Sequence, residues 1–134
     1  MIVADSTVWI DFLNDHEAPH SRELDQLIRE DRQVLLTDHV LTEVLQGYRA
    51  KSAADDICQY LLGFPFLGLE GPADYISAAD LFRTARSAGI TLRNLADILI
   101  AVPCIREGAF LLHNDRDFYN LASVSDLKIW KPTV

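Results

Sequence analysis

Five acidic residues stand inside or just beyond apolar runs, where a carboxylate is not expected by chance alone: Asp5, Glu43, Asp97, Asp115 and Asp117. Asp97 is the most exposed to argument. It lies within Leu95–Ile105, LADILIAVPCI, and a helix apolar on nearly every face is a buried one. Taking a carboxylate out of water is costly unless a partner or a metal takes up its charge. The plain reading is that Asn94 caps this helix and Asp97 sits in its first turn, where the helix dipole favours an anion. The alternative is that Asp97 belongs to an acidic pocket gathered from distant segments. Asp5 ends the apolar run Ile2–Ala4, and Asp115 and Asp117 follow the apolar run Ala109–Leu112. If both runs are strands of a parallel sheet, these acids share its C-terminal edge, where open α/β sheets bind ligands. Glu43 alone reads as an exposed helix former, but its helix starts at the same edge. Four such carboxylates at close quarters either bind divalent cations or stay partly protonated. All-oxygen ligation suits Mg²⁺ or Mn²⁺. Two such ions can activate water and stabilise the leaving oxygen in phosphodiester cleavage.

The elements that must position these acids follow from hydrophobic periodicity and capping signals. A short helix follows Asp5, carrying Val8, Trp9, Ile10, Phe12 and Leu13, with Ser6 or Thr7 as alternative caps to Asp5. Pro19–Asp31 is an amphipathic surface helix. Val34–Thr37 is a strand, and Thr37 or Asp38 caps a helix with Val40, Leu41, Val44 and Leu45 as its core stripe. Ser52–Leu62 is a helix with Ile57, Tyr60 and Leu61 inward, and Phe66–Leu69 a weak strand. Gly71-Pro72 opens a long helix that Gly89 closes. Gly108 ends the helix of Asp97, and Pro103 is expected to kink it. Lys128–Trp130 forms a final strand. Strands alternating with helices imply an α/β fold, a central and mainly parallel sheet with helices on both faces.

Composition narrows the function classes. A chain of 134 residues is expected to form a single domain, 1–134. Its net charge of −8 argues against a protein that coats nucleic acid through a general basic surface. Residues 1–67 hold 12 acidic and 5 basic residues, whereas residues 68–134 hold 8 and 7. Contact with a polyanion is therefore expected from the second half, where Arg83, Arg86, Arg93, Arg106 and Arg116 lie. Taken singly, each of these arginines is read as balancing nearby acids. No run reaches transmembrane length, and a cytoplasmic protein with two buried free thiols, Cys58 and Cys104, is expected. His16, His20 and His39 are expected to be exposed, and His113 to be structural or at a rim. No nucleophile triad or phosphate-cradling glycine loop is present.

Four stretches carry a family resemblance: Ile2–Ile10 (IVADSTVWI), Thr42–Gly47 (TEVLQG), Arg93–Ala101 (RNLADILIA) and Leu111–Phe118 (LLHNDRDF). In this order and spacing the chain resembles the PIN-domain ribonucleases, specifically the VapC toxins of toxin–antitoxin pairs. The resemblance implies an α/β/α sandwich and a metal-dependent endoribonuclease with Mg²⁺ or Mn²⁺ as cofactor. It implies catalytic acids at Asp5, Glu43, Asp97 and Asp115, a homodimer, and a VapB-like antitoxin whose C-terminal segment blocks the pocket. It also implies a structured RNA substrate, tRNA foremost. Asp5, Asp97 and Asp115 are then expected as ligands, with Glu43 holding water or a second ion. Ser6 and Asn94 would orient the carboxylates, and Asp117 would be a supporting or rim residue. Arg93 and Arg116 would hold RNA, and Arg93→Ala would leave metal binding intact. Rival readings are a catalytically inactive PIN-like scaffold that binds RNA or protein and a Mg²⁺-dependent receiver domain. The receiver lacks its phospho-accepting aspartate, because the third strand ends at Glu70-Gly71. A haloacid-dehalogenase-like phosphatase would place its Asp-x-Asp after the first strand, not near the end.

Overall fold

The computed structural model describes residues 1–133; Val134, the last residue of the expected domain, lies outside the described residues. In chain order the elements are β1 (Ile2–Ala4), α1 (Ser6–Leu13), α2 (Pro19–Arg29), β2 (Val34–Leu35), α3 (Asp38–Leu45) and α4 (Lys51–Leu61). Then come α5 (Gly71–Ser87), α6 (Leu95–Glu107), β3 (Phe110–Leu112), α7 (Arg116–Ser123) and β4 (Lys128–Ile129). The strands form one sheet in the order β2-β1-β3-β4, and every pairing is parallel. The expected third strand at Phe66–Leu69 shrinks to a single parallel bridge between Leu36 and Phe66. Gly68 and the following Glu70–Gly71 turn leave that segment little side chain to pack, and Gly71 adopts φ +52.

The strands are short; β1 and β2 are wholly buried, β3 is buried beyond Phe110, and β4 is the open edge. Ile2, Val3, Ala4, Val34, Leu35, Leu111 and Leu112 are buried, with Trp9, Leu24, Ile98, Ile100, Phe118 and Leu121 packed over the two faces. This explains the continuous apolar runs: a strand covered on both faces has no polar alternation. α6 is buried from Asp97 to Cys104. It remains helical through Pro103 and ends at Gly108, whose φ of +66 supplies the left-handed cap. α5 is held beside it by Arg106, which donates to the buried Asp74 carboxylate and, at 3.1 Å, to the Gly68 carbonyl.

Several burial expectations are corrected. His20 is buried, not exposed, because Nε2 meets Asp11 Oδ2 at 2.6 Å in the contact of α1 with α2. Tyr60 is exposed while Leu61 takes the inward position, and Cys58 is half-buried. Glu23, unremarked in an amphipathic helix, is buried and accepts hydrogen bonds from Trp130 Nε1 at 3.0 Å and the Thr133 backbone N–H at 3.2 Å. α2 thereby anchors the chain beyond β4.

Candidate active site

The site lies where the strand order reverses. β1 runs to β2 on one side, and the chain returns to β3 on the other, so a crevice opens beyond the C-terminal ends of β1 and β3. The Asp5 backbone N–H donates to the Leu112 carbonyl at 2.9 Å, which locks the two strand ends together. Asp5 therefore stands at the crevice floor. It occupies the position before α1 but makes no side-chain capping bond, so the capping explanation for this acid does not hold. Only 5% of Asp5 is exposed. Burial, reinforced by Asp97, Glu43 and Asp115, pushes its carboxyl up to about 7 against the favourable Ser6 backbone N–H.

Asp97 enters from α6. Asn94 Oδ1 accepts from the Asp97 backbone N–H at 3.3 Å, so the cap expected at this helix start is present. Asn94 thus acts on the backbone of Asp97 and not on its carboxylate. With 8% of the residue exposed, Asp97 Oδ2 has no hydrogen-bond partner. Burial first, then Asp115, Asp117 and Glu43, raises its carboxyl to about 6, while Arg93 works the other way. Both plain and sharp readings of Asp97 are thus true together: it is a first-turn acid, and it faces other acids.

Asp115 caps α7. Its Oδ1 accepts from the Asp117 backbone N–H at 3.0 Å, and its own N–H donates to His113 Nδ1 at 3.0 Å. His113 is buried and pushed down to about 4 by desolvation, so it is a neutral spacer under Asp115. Of the two positions expected for Asp117, supporting or rim, its burial speaks against the rim: it is 5% exposed, and Asp115 is the more open of the two. Asp97, Asp115 and Asp117 can bring one carboxylate oxygen each within 4.8 Å of one another. Asp5 is not in that set, although Asp97 and Asp115 help to raise its carboxyl.

Glu43 approaches from α3. It is partly buried, its carboxyl is raised by that burial, and its Oε1 is unpartnered. The Ser6 hydroxyl stands between two acids, 3.5 Å from Asp5 Oδ1 and close enough to Glu43 to favour its charge. Arg93 does not stand free. Its Nη2 donates to Asp115 Oδ1 at 3.0 Å and its Nε to Asp117 Oδ2 at 3.1 Å. Arg116 is exposed at the start of α7. Arg83 and Arg106 follow the balancing reading, paired with Asp80 and Asp74. The donor set fits a hard divalent cation: every candidate group is a carboxylate oxygen, and Asp97, a member of the cluster, has a buried Oδ2 with no hydrogen-bond partner among the described residues. A cleft of about 530 Å³ between α5, α6 and Ser125–Asp126 lies elsewhere, and its main charged groups, Arg106 and Asp74, already pair with each other.

The PIN-domain family model matches residues 2–124. The chain belongs to the PIN-domain family. Among characterised PIN proteins, it is 29% identical over 129 residues to the VapC ribonuclease Mb1587 of Mycobacterium bovis, covering 96% of each chain. The same figures hold for the ribonuclease VapC11 of Mycobacterium tuberculosis. The fold matches VapBC2 of Rickettsia felis, bound to a DNA fragment from its promoter, with a TM-score of 0.76, 18% identity and 97% and 98% coverage of the two chains. FitAcB of Neisseria gonorrhoeae gives a TM-score of 0.75 at 21% identity over 98% of both chains. The sarcin-ricin-loop-cleaving toxin VapC20 of M. tuberculosis gives 0.66 at 18% identity over 93% and 96%. The expected PIN-like α/β architecture is therefore established.

Proposed function

We propose that this PIN domain is a metal-dependent endoribonuclease of the VapC toxin type. The observation that carries the proposal is the buried, unpartnered Oδ2 of Asp97, a residue whose carboxylate converges with those of Asp115 and Asp117. A structural acid would have a hydrogen-bond partner; one left orphaned among like charges is explained by a cation. Asp97, Asp115 and Asp117 would hold Mg²⁺ or Mn²⁺, with Asp5 supplying further negative charge from the crevice floor. A divalent ion bound there activates water and stabilises the departing oxygen of a phosphodiester.

The chain's own residues do the rest. Ser6 and the α1 start keep Asp5 and Glu43 facing the same crevice. Glu43, partly buried and with Oε1 unpartnered, would accept a proton from the attacking water. Asn94 and His113 fix the backbone of Asp97 and Asp115, so the acids are held by main-chain geometry. Arg116, exposed beside the cluster, would take an RNA phosphate, and Arg93 would join it once released from the acids. In-line attack by water breaks the bond to the 3′ oxygen, leaving a 3′-hydroxyl and a 5′-phosphate.

The substrate class is structured RNA, with tRNA the first to test. A VapB-like antitoxin with a basic tail is the proposed inhibitor, since a cationic segment suits this crevice. A homodimer is proposed through α5 and α6, where Tyr75, Ile76, Phe82 and Leu95 leave an exposed apolar face. The test of substrate is to incubate the protein, freed of bound partner, separately with tRNA and ribosomal RNA in Mn²⁺ and map the ends. Fragments of tRNA with 5′-phosphates support the reading; a cut confined to ribosomal RNA replaces the substrate but keeps the chemistry. Ends with 2′,3′-cyclic phosphate contradict the mechanism. A PIN scaffold that only binds RNA would retain RNA without producing fragments.

A further inference from the structure

We propose that Arg93 is a built-in counter-ion of the acidic crevice, one that a divalent cation must displace and that is thereby released to the substrate. The inference rests on the metal-centre reading above. Two of the three carboxylates that can converge on a cation are the two that Arg93 grips: Nη2 on Asp115 at 3.0 Å and Nε on Asp117 at 3.1 Å. The same negative charge cannot fully serve a guanidinium and a divalent ion at once. Arg93 also leaves the third member unserved, since Asp97 Oδ2 stays without a partner. The guanidinium is therefore a partial substitute for a cation, bonded to Asp115 and Asp117 and not to Asp97.

Three features make the substitute removable. An arginine cannot be discharged by titration at working pH, so it leaves only by moving. Its side chain is 65% exposed and its pair with Asp115 is solvent-exposed, a kind that holds weakly, so that only the arm on the buried Asp117 resists its departure. It stems from the irregular segment before α6, outside any helix, so no helix backbone constrains its swing. Once displaced, it remains tethered one residue before Asn94, at the mouth of the crevice. There its fork of donors matches a phosphate oxygen pair. The expectation that Arg93→Ala leaves metal binding intact is thus replaced by the opposite one: removal should strengthen it.

The test is Mn²⁺ binding, read from the electron paramagnetic resonance of free Mn²⁺ at fixed pH and ionic strength. It uses the full chain, freed of partner, as wild type, Arg93→Ala, Arg93→Gln and Asp97→Asn, each checked for folding by circular dichroism. The wild type should bind and Asp97→Asn should not, while both Arg93 variants should bind roughly two- to fivefold more tightly, the scale of losing an exposed competing charge. Equal or weaker binding in the Arg93 variants overturns the counter-ion role and leaves the metal centre standing. Absence of binding by the wild type overturns both. A second readout needs no variant: the Arg93 Nε–H nuclear magnetic resonance signal should shift as Mg²⁺ is added to saturation. A signal that stays unchanged at saturating Mg²⁺ overturns the displacement.

Discussion

Asp5 and Asp97 carry carboxyls raised to about 7 and about 6, and the sign of that shift has a consequence for stability. In the unfolded chain both groups titrate near 3.8. Between that value and their folded values the native state binds more protons, so stability falls as pH rises. His113, lowered from 6.5 to about 4, acts oppositely and only below 6.5. Two acids outweigh one histidine, so the metal-free protein should lose thermal stability from pH 5 to pH 7 and level off above. Added Mg²⁺ should remove most of that fall at pH 7.5, because both acids are then ionised and able to ligate. Scanning calorimetry with chelator and with Mg²⁺ checks this; a metal-free melting temperature that rises across the range contradicts it. Asp5, Asp97 and Asp115 were legible as candidates because each interrupts or terminates an apolar run. The pairing of Arg93 with Asp117 was not legible, because 24 positions separate them and only the turn before α6 brings them together. Whether Asp117 supports the site or stands at its rim was not legible either: the first turn of α7 buries it, while Asp115, the capping residue, is the more open of the two.

At the scale of elements, α6 does most to build the site, and its start is a cap that also sets Asp97. Asn94→Ala should cost about 1 kcal/mol of stability, the usual worth of such a cap, measured by urea denaturation. It should also loosen Asp97, so its loss of metal affinity should exceed that of a cap removed elsewhere, Thr37→Ala on α3. The far end of α6 is tied down by Arg106 on the buried Asp74. Arg106→Ala should cost about 2–3 kcal/mol, because it leaves the buried Asp74 carboxylate with only the Glu70 backbone N–H, whereas Arg83→Ala on α5 should cost less than about 1 kcal/mol, its pair with Asp80 being exposed. Equal losses by denaturation would contradict that contrast. The order of strands and helices was readable from apolar runs and from the Gly71-Pro72, Gly89 and Gly108 signals. Phe66–Leu69 was not, since an apolar tetrad interrupted by glycine looks like a strand but pairs only at Phe66. The burial of Glu23 and His20 was also hidden, because amphipathic periodicity does not reveal which polar residues a neighbouring element will cover.

For the whole molecule, the proposed homodimer would use the exposed apolar residues Tyr75, Ile76, Phe82 and Leu95 of α5 and the start of α6. Phe82→Asp should shift a dimer toward monomer in sedimentation velocity; an unchanged dimer would show that the copies meet elsewhere. No described helix is long and apolar enough to cross a membrane, and with a net charge of −8 the proposed contact with RNA would rest on local arginines such as Arg93 and Arg116. Binding of RNA should therefore depend on the divalent ion, which turns a repulsive crevice into a receptive one. The most direct measurement is a cleavage time course on RNA in Mn²⁺ with wild type, wild type plus chelator, and Asp97→Asn, each freed of co-purifying protein. The account predicts discrete fragments from the wild type alone. Loss of Asp97 should slow cleavage by roughly a hundredfold or more, at least the scale of losing a residue that supports a metal ligand. Cleavage that persists in chelator, or equally in Asp97→Asn, would contradict a metal-dependent nuclease centred on these acids.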